Sequence, residues 1–170
     1  MPPGSCSLAS KLTVKKLDDI LGSVTVEEIP IPALLRAARG AYGNAIRREL
    51  AEGGFEDLPR NGPYVLGGMA NRGIAAGDLV RQLGVSKQAA SQLVDVLVLR
   101  GYLERHANAE DRRKLDILLT DRGRAAAAAV RAGVVSVDQE LEKRLAPNDL
   151  AGFRAGLLAL IEIREEGEAT

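Results

Sequence analysis

Two short groups of residues have the types and spacing to engage a polyanion. Ser86, Lys87, Gln88, Ser91 and Gln92 fall within two helical turns of one another. Side chains of these kinds, carried on a helix in a major groove, read the edges of bases. Hydroxyls, cations and helix N-termini also hold phosphates. Arg112, Arg113 and Lys114 follow in a polar stretch, with Asp111 immediately before them. Asp95 lies on the first group's polar face and would repel phosphate, so it is expected beyond the contact zone.

Other chemistries find little support. His106 is the single histidine and Cys6 the single cysteine. One His without Cys partners or paired carboxylates makes no metal site, and one Cys makes no internal disulfide. No Gly-x-Ser-x-Gly or P-loop pattern accompanies His106. No enzyme activity, catalytic residue, metal or cofactor is expected. Tyr42, Tyr64 and Met69 read equally well as the wall of a ligand pocket or as core fillers.

The chain has 170 residues, 46% of them apolar but only 3% aromatic, so its core must be built from Ala, Leu, Val and Ile. Such a core favours closely packed helices. The 23 basic and 23 acidic residues cancel. Residues 72–124 nevertheless carry ten Lys/Arg against seven Asp/Glu, whereas residues 125–170 carry five against eight. This small basic excess covers both groups named above, although an excess of that size is common on solvated surfaces. No uncharged apolar run reaches the roughly 18 residues of a membrane span. The first residues lack the apolar core of a signal peptide. A cytoplasmic protein without membrane attachment is expected.

These residues require elements to carry them. Ser86 suits a helix N-cap, because its hydroxyl can accept an orphan backbone N–H. The helix it opens, to Arg100, keeps Ala90, Leu93, Val94, Leu97 and Val98 on one face and its polar side chains on the other. Ala76 to Leu83 forms a preceding helix, with Gly84-Val85 as the turn, giving helix, tight turn, helix. Tyr102 to His106 and Leu115 to Leu119 form a hairpin around a polar loop that carries Arg112 to Lys114. A long helix runs from Asp121 to about Leu145, striped by Val130, Val134, Val137, Leu141 and Leu145, and Pro147 opens a last helix. Upstream, helices are expected at 32–53 and 64–71, and a short one at 10–21. The fold class is therefore mainly α with a small β-hairpin wing: a winged helix-turn-helix domain with flanking helices. The expected boundaries are a partly ordered arm at 1–30, a helix and loop at 31–60, the winged domain at 61–120, C-terminal helices at 121–165 and a tail at 166–170.

The run Gly77-Asp78-Leu79-Val80-Arg81-Gln82-Leu83-Gly84-Val85-Ser86, continued by Lys87-Gln88-Ala89-Ala90-Ser91-Gln92-Leu93-Val94, resembles the helix-turn-helix of the MarR family of bacterial regulators. Leu99 to Arg105, then Asp111-Arg112-Arg113, Leu119-Thr120 and Gly123-Arg124, resemble the entry to its wing, the wing and the start of its long helix. The similarity spans roughly residues 31–163. It implies a homodimer joined by the first and last two helices, bound to double-stranded DNA at a near-palindromic operator. Ser86, Lys87, Gln88, Ser91 and Gln92 would then face bases. Arg112 and Arg113 would reach the minor groove, beside Lys114, with Asp111 orienting Arg113. The family's small apolar or phenolic effectors imply a repressor released by a ligand. Two alternatives stay open: a winged-helix module that binds protein without DNA, and a redox-sensing regulator using Cys6. Cys6 has no adjacent cation to lower its pKa.

Overall fold

The computed structural model of the chain describes residues 28–72, 78, 85–108 and 115–168. Cys6, the helix expected at 10–21, the helix expected at 76–83 apart from Asp78, and the cluster Asp111 to Lys114 lie outside the described residues. The elements are α1 (Ile31–Glu52), α2 (Gly62–Arg72), α3 (Lys87–Leu99), β1 (Leu103–Ala107), β2 (Leu115–Leu119), α4 (Asp121–Glu142) and α5 (Pro147–Glu168). Among the described residues, five helices and one antiparallel hairpin match the fold class read from the sequence. The chain divides into two units, residues 1–41 and 42–170, and everything below concerns the second.

Two helices end in the same way, and this shapes the core. After α1, the Gly54 N–H donates to the Ala51 carbonyl (3.1 Å) and the Phe55 N–H to the Leu50 carbonyl (2.8 Å). After α3, the Gly101 N–H donates to Val98 (2.9 Å) and the Tyr102 N–H to Leu97 (2.9 Å). Both are Schellman closures, which satisfy the last helical carbonyls and need a left-handed residue. Gly54 (φ 75°) and Gly101 (φ 72°) supply it without Cβ strain. Each closure hands an aromatic ring to the interior, and Phe55 meets Tyr102 edge-on with centroids 6.3 Å apart.

Around these rings Leu50, Val65, Leu66, Val94, Leu97, Tyr102, Leu103, Ala126, Ala127 and Val130 form one buried cluster. The face of α3 expected to be apolar is the one that packs here: Val94 and Leu97 are buried, and Ala90, Leu93 and Val98 lie against them. In α4 the buried residues are Gly123, Ala126, Ala127, Val130 and Gly133. The packed face of α4 thus begins about two turns before the valine stripe and is made mostly of small residues. A Cβ at Gly133 would sit 2.7 Å from the Ile46 Cα, so the backbones of α1 and α4 touch there.

Candidate nucleic-acid interface

Ser86 caps α3 as its type predicts. Its backbone is extended (φ −60°, ψ 154°), and its hydroxyl accepts the Ala89 N–H at 3.2 Å. With Val94 and Leu97 turned into the core, Lys87, Gln88, Ser91 and Gln92 are all exposed on the other side. The structure therefore brings the five reading candidates together on one solvent-facing surface, at the positive end of a helix dipole.

The hairpin stands beside that helix. Leu103 pairs with Leu119 and Ala107 with Leu115, in continuous antiparallel register. Side chains alternate along a strand, so Arg105 shares the face of buried Leu103. It reaches α3 and forms an ion pair with Asp95. Glu104 and His106 share the opposite face, His106 Nε2 lying 3.2 Å from Glu104 Oε1. His106, the one histidine, thus belongs to the wing surface. Further out, the Asn108 amide donates to both carboxylate oxygens of Asp116, at 3.0 and 3.1 Å.

The root of the hairpin is tied more heavily. The Thr120 hydroxyl accepts the Gly123 N–H (3.0 Å), capping α4, and donates to the Gly101 carbonyl. The Arg122 guanidinium lies over the Tyr102 ring, 4.5 Å from its centroid. It also donates to the Arg100 carbonyl (2.8 Å) and to Asp57 (2.9 Å). The Tyr102 hydroxyl donates to the same Asp57 oxygen, and Arg100 to the Asp57 carbonyl. The Tyr102 hydroxyl and then the Arg122 charge hold the Asp57 carboxyl below its ordinary range. Burial, then the bond to Asp57, pushes the Tyr102 phenol up to about 12. Asp57 and Arg122 did not stand out in the sequence, because they lie 65 positions apart.

The three candidates for a ligand pocket separate. Tyr42 lines a cavity of about 220 Å³ with Asp138, Leu141, Leu150, Phe153, Arg154 and Leu157. Its hydroxyl donates to Asp138 at 2.7 Å; that bond, then burial, pushes the phenol up to about 12. Met69 packs against the core and Tyr64 is exposed; neither lines this cavity. No helix of the described residues is long and apolar enough to cross a membrane. Among the described residues no cluster of three metal-ligating side chains occurs.

Comparison with known proteins fits this geometry. Residues 56–114 match the model of the MarR family. The fold is similar to the DNA complex of MepR from S. aureus, with TM-score 0.63, 20% identity, and coverage of 79% of this chain and 98% of that one. It is similar to FabT from Streptococcus pneumoniae in complex with DNA, with TM-score 0.64, 17% identity, and coverage of 81% and 99%. It is also similar to apo MarR from E. coli, with TM-score 0.56, 24% identity, and coverage of 78% and 97%. No curated protein matches by sequence.

Proposed function

We propose that the chain is a member of the MarR family, whose model matches residues 56–114, and that it is a dimeric, sequence-specific DNA-binding regulator of transcription. The observation that carries this reading is the exposed row Lys87, Gln88, Ser91 and Gln92 on a helix capped by Ser86 and anchored by Val94 and Leu97. A helix held only by its apolar face can enter a groove without disturbing the core. The side chains it offers suit base edges and phosphates. Ser86 to Gln92 read sequence, while Asp111 to Lys114 at the wing tip grip the minor groove and the backbone. Two copies on a near-palindromic operator place two such helices in successive major grooves. MepR and FabT were both solved with DNA, which supports this use of the shared fold.

Repression relieved by a small apolar or phenolic effector completes the reading. MepR was also solved with ethidium bromide, and the cavity beside Tyr42 joins apolar walls to a tyrosine, an aspartate and an arginine. An effector acts there if it binds the geometry that does not fit DNA more tightly than the one that does.

Retention on duplex DNA through a salt gradient tests the proposal. Phosphate contacts make affinity fall steeply with salt. The protein is expected to hold a DNA duplex from its own promoter region at low salt and to release it as salt rises. Binding that ignores salt, or none to any duplex, would overturn the reading in favour of a protein-interaction module. Arg113→Ala is expected to weaken DNA binding about five-fold or more, the loss of a contact worth about 1–3 kcal/mol, while the dimer persists.

A further inference from the structure

Gln88, Gln92 and Asp95 follow at i, i+4 and i+7 on α3, so the carboxylate continues the row of reading side chains. On the DNA-binding reading above, an anion at the end of that row would repel phosphates and cost affinity at every sequence. Asp95 is nevertheless half exposed, its side chain 54% accessible, with Arg105 of β1 held against it at 38%. Arg105 has the length and charge to reach a phosphate at the rim of a groove, and its strand stands beside the reading helix. The ion pair instead ties that guanidinium to α3. The other charged residues described on β1, Glu104 and His106, lie on the far face and do not compete for it.

We propose that Asp95 is a positioning residue that withholds Arg105 from the phosphate backbone, holding down the sequence-independent affinity for every duplex while Ser86 to Gln92 decide which duplex is preferred. This rests on the DNA-binding reading above. Base contacts specify, whereas phosphate contacts add affinity to every site alike. Discrimination is the ratio of affinities for two duplexes, from which a contribution common to both cancels. A cation freed at this position therefore raises affinity for both duplexes and leaves their ratio unchanged.

The test uses the full-length chain and its Asp95→Asn, Arg105→Gln and doubly substituted forms. Each is titrated against a random-sequence duplex and against the tightest duplex selected by the wild type from the same pool. Each additional phosphate contact steepens the fall of log affinity with log salt by about 0.9. Asp95→Asn is therefore expected to bind the random duplex more tightly. Its loss of affinity between 50 and 200 mM salt should be about 3.5-fold greater than the wild type's, the value of 4 raised to 0.9. The gain should appear equally on the selected duplex, so that the preference for it stays at the wild-type value. The double variant, which has no cation to release, should regain the wild-type salt slope.

Weaker binding of Asp95→Asn to both duplexes would overturn the proposal, because Arg105 would then be aimed at DNA by its partner. An equal gain in the double variant would also overturn it, because simple repulsion by Asp95 would suffice. Unchanged salt slopes in all three variants, with wild-type binding intact, would do the same. A wild type that binds no duplex would instead refute the underlying reading. Since both side chains are exposed, unchanged thermal unfolding and molecular mass establish that each variant is folded.

Discussion

Helices α4 and α5 have the same length, 22 residues each, and opposite relations to the core. Five residues of α4 are buried, and none of the described residues of α5 is. On α5, Phe153, Leu158, Leu160, Ile161 and Ile163 all face solvent in the single chain. The stabilisation of α4 therefore comes from its own chain. The homodimer proposed above would cover the apolar surface of α5, where burying one such side chain is worth about 1.5–3 kcal/mol, and a polar substitution on each helix separates the two cases.

The larger effect belongs to α4. Ala126 is fully buried between Tyr102, Leu66 and their neighbours in the cluster. Ala126→Asp would place an unpaired carboxylate there, at a cost comparable with the whole stability of a domain, about 5–15 kcal/mol. The expected outcome is loss of the cooperative thermal transition followed by circular dichroism. Retention of a transition near the wild-type temperature would mean that α4 is not the centre of the core. Ile161→Asp should act differently. The residue is 48% exposed in the single chain, so residues 42–142 stay folded while the mass in solution falls from dimer to monomer. Affinity for a two-half-site duplex would drop with it. A variant that remains dimeric would place the interface elsewhere.

This contrast bears on how far the sequence could be read. Periodicity revealed α3 because its large apolar residues mark one face, and Ser86 marked its start. For α4 the same reasoning favoured the stripe Val130, Val134, Val137, Leu141 and Leu145. Packing instead relies on Ala126, Ala127 and Gly133, where absence of bulk lets Ile46 approach. Absence of bulk leaves no mark in a hydrophobic pattern. The root of the wing was hidden for another reason. Asp57 precedes Tyr102 by 45 positions, and nothing local to Asp57 announces a partner, whereas Arg105 and Asp95 are separated by ten and belong to adjacent elements. The exposed reading residues were legible because helix period alone sets which face they share. The Tyr42 cavity was legible only at Tyr42, since Asp138 and the α5 residues join it through tertiary packing.

The smallest expected effects distinguish the two ends of α4, each of which carries a tyrosine–aspartate bond. Near its start Tyr102 donates to Asp57, and toward its end Tyr42 donates to Asp138. Both phenols are pushed up to about 12, above the ordinary value of about 10. A group whose folded pKa is raised contributes stability that is complete below its unfolded pKa and lost as pH climbs through the folded one. Thermal stability should therefore decline between about pH 10 and about pH 12. Asp57 has the opposite sign. Its folded pKa is lowered, so its contribution is present above the ordinary carboxylate value of about 3.9 and fades as pH falls below it. Tyr102→Phe should cost about 1 kcal/mol at neutral pH, the worth of one hydrogen bond, and should flatten both the alkaline and the acid declines. Tyr42→Phe should flatten only the alkaline one, by a similar amount, because both phenols are pushed up to about 12. Melting temperatures of the two variants from pH 3 to pH 11 measure this. An acid decline that persists unchanged in Tyr102→Phe would show that Asp57 gains its stabilisation from Arg122 alone, leaving the phenol as a packing group at the root of the wing.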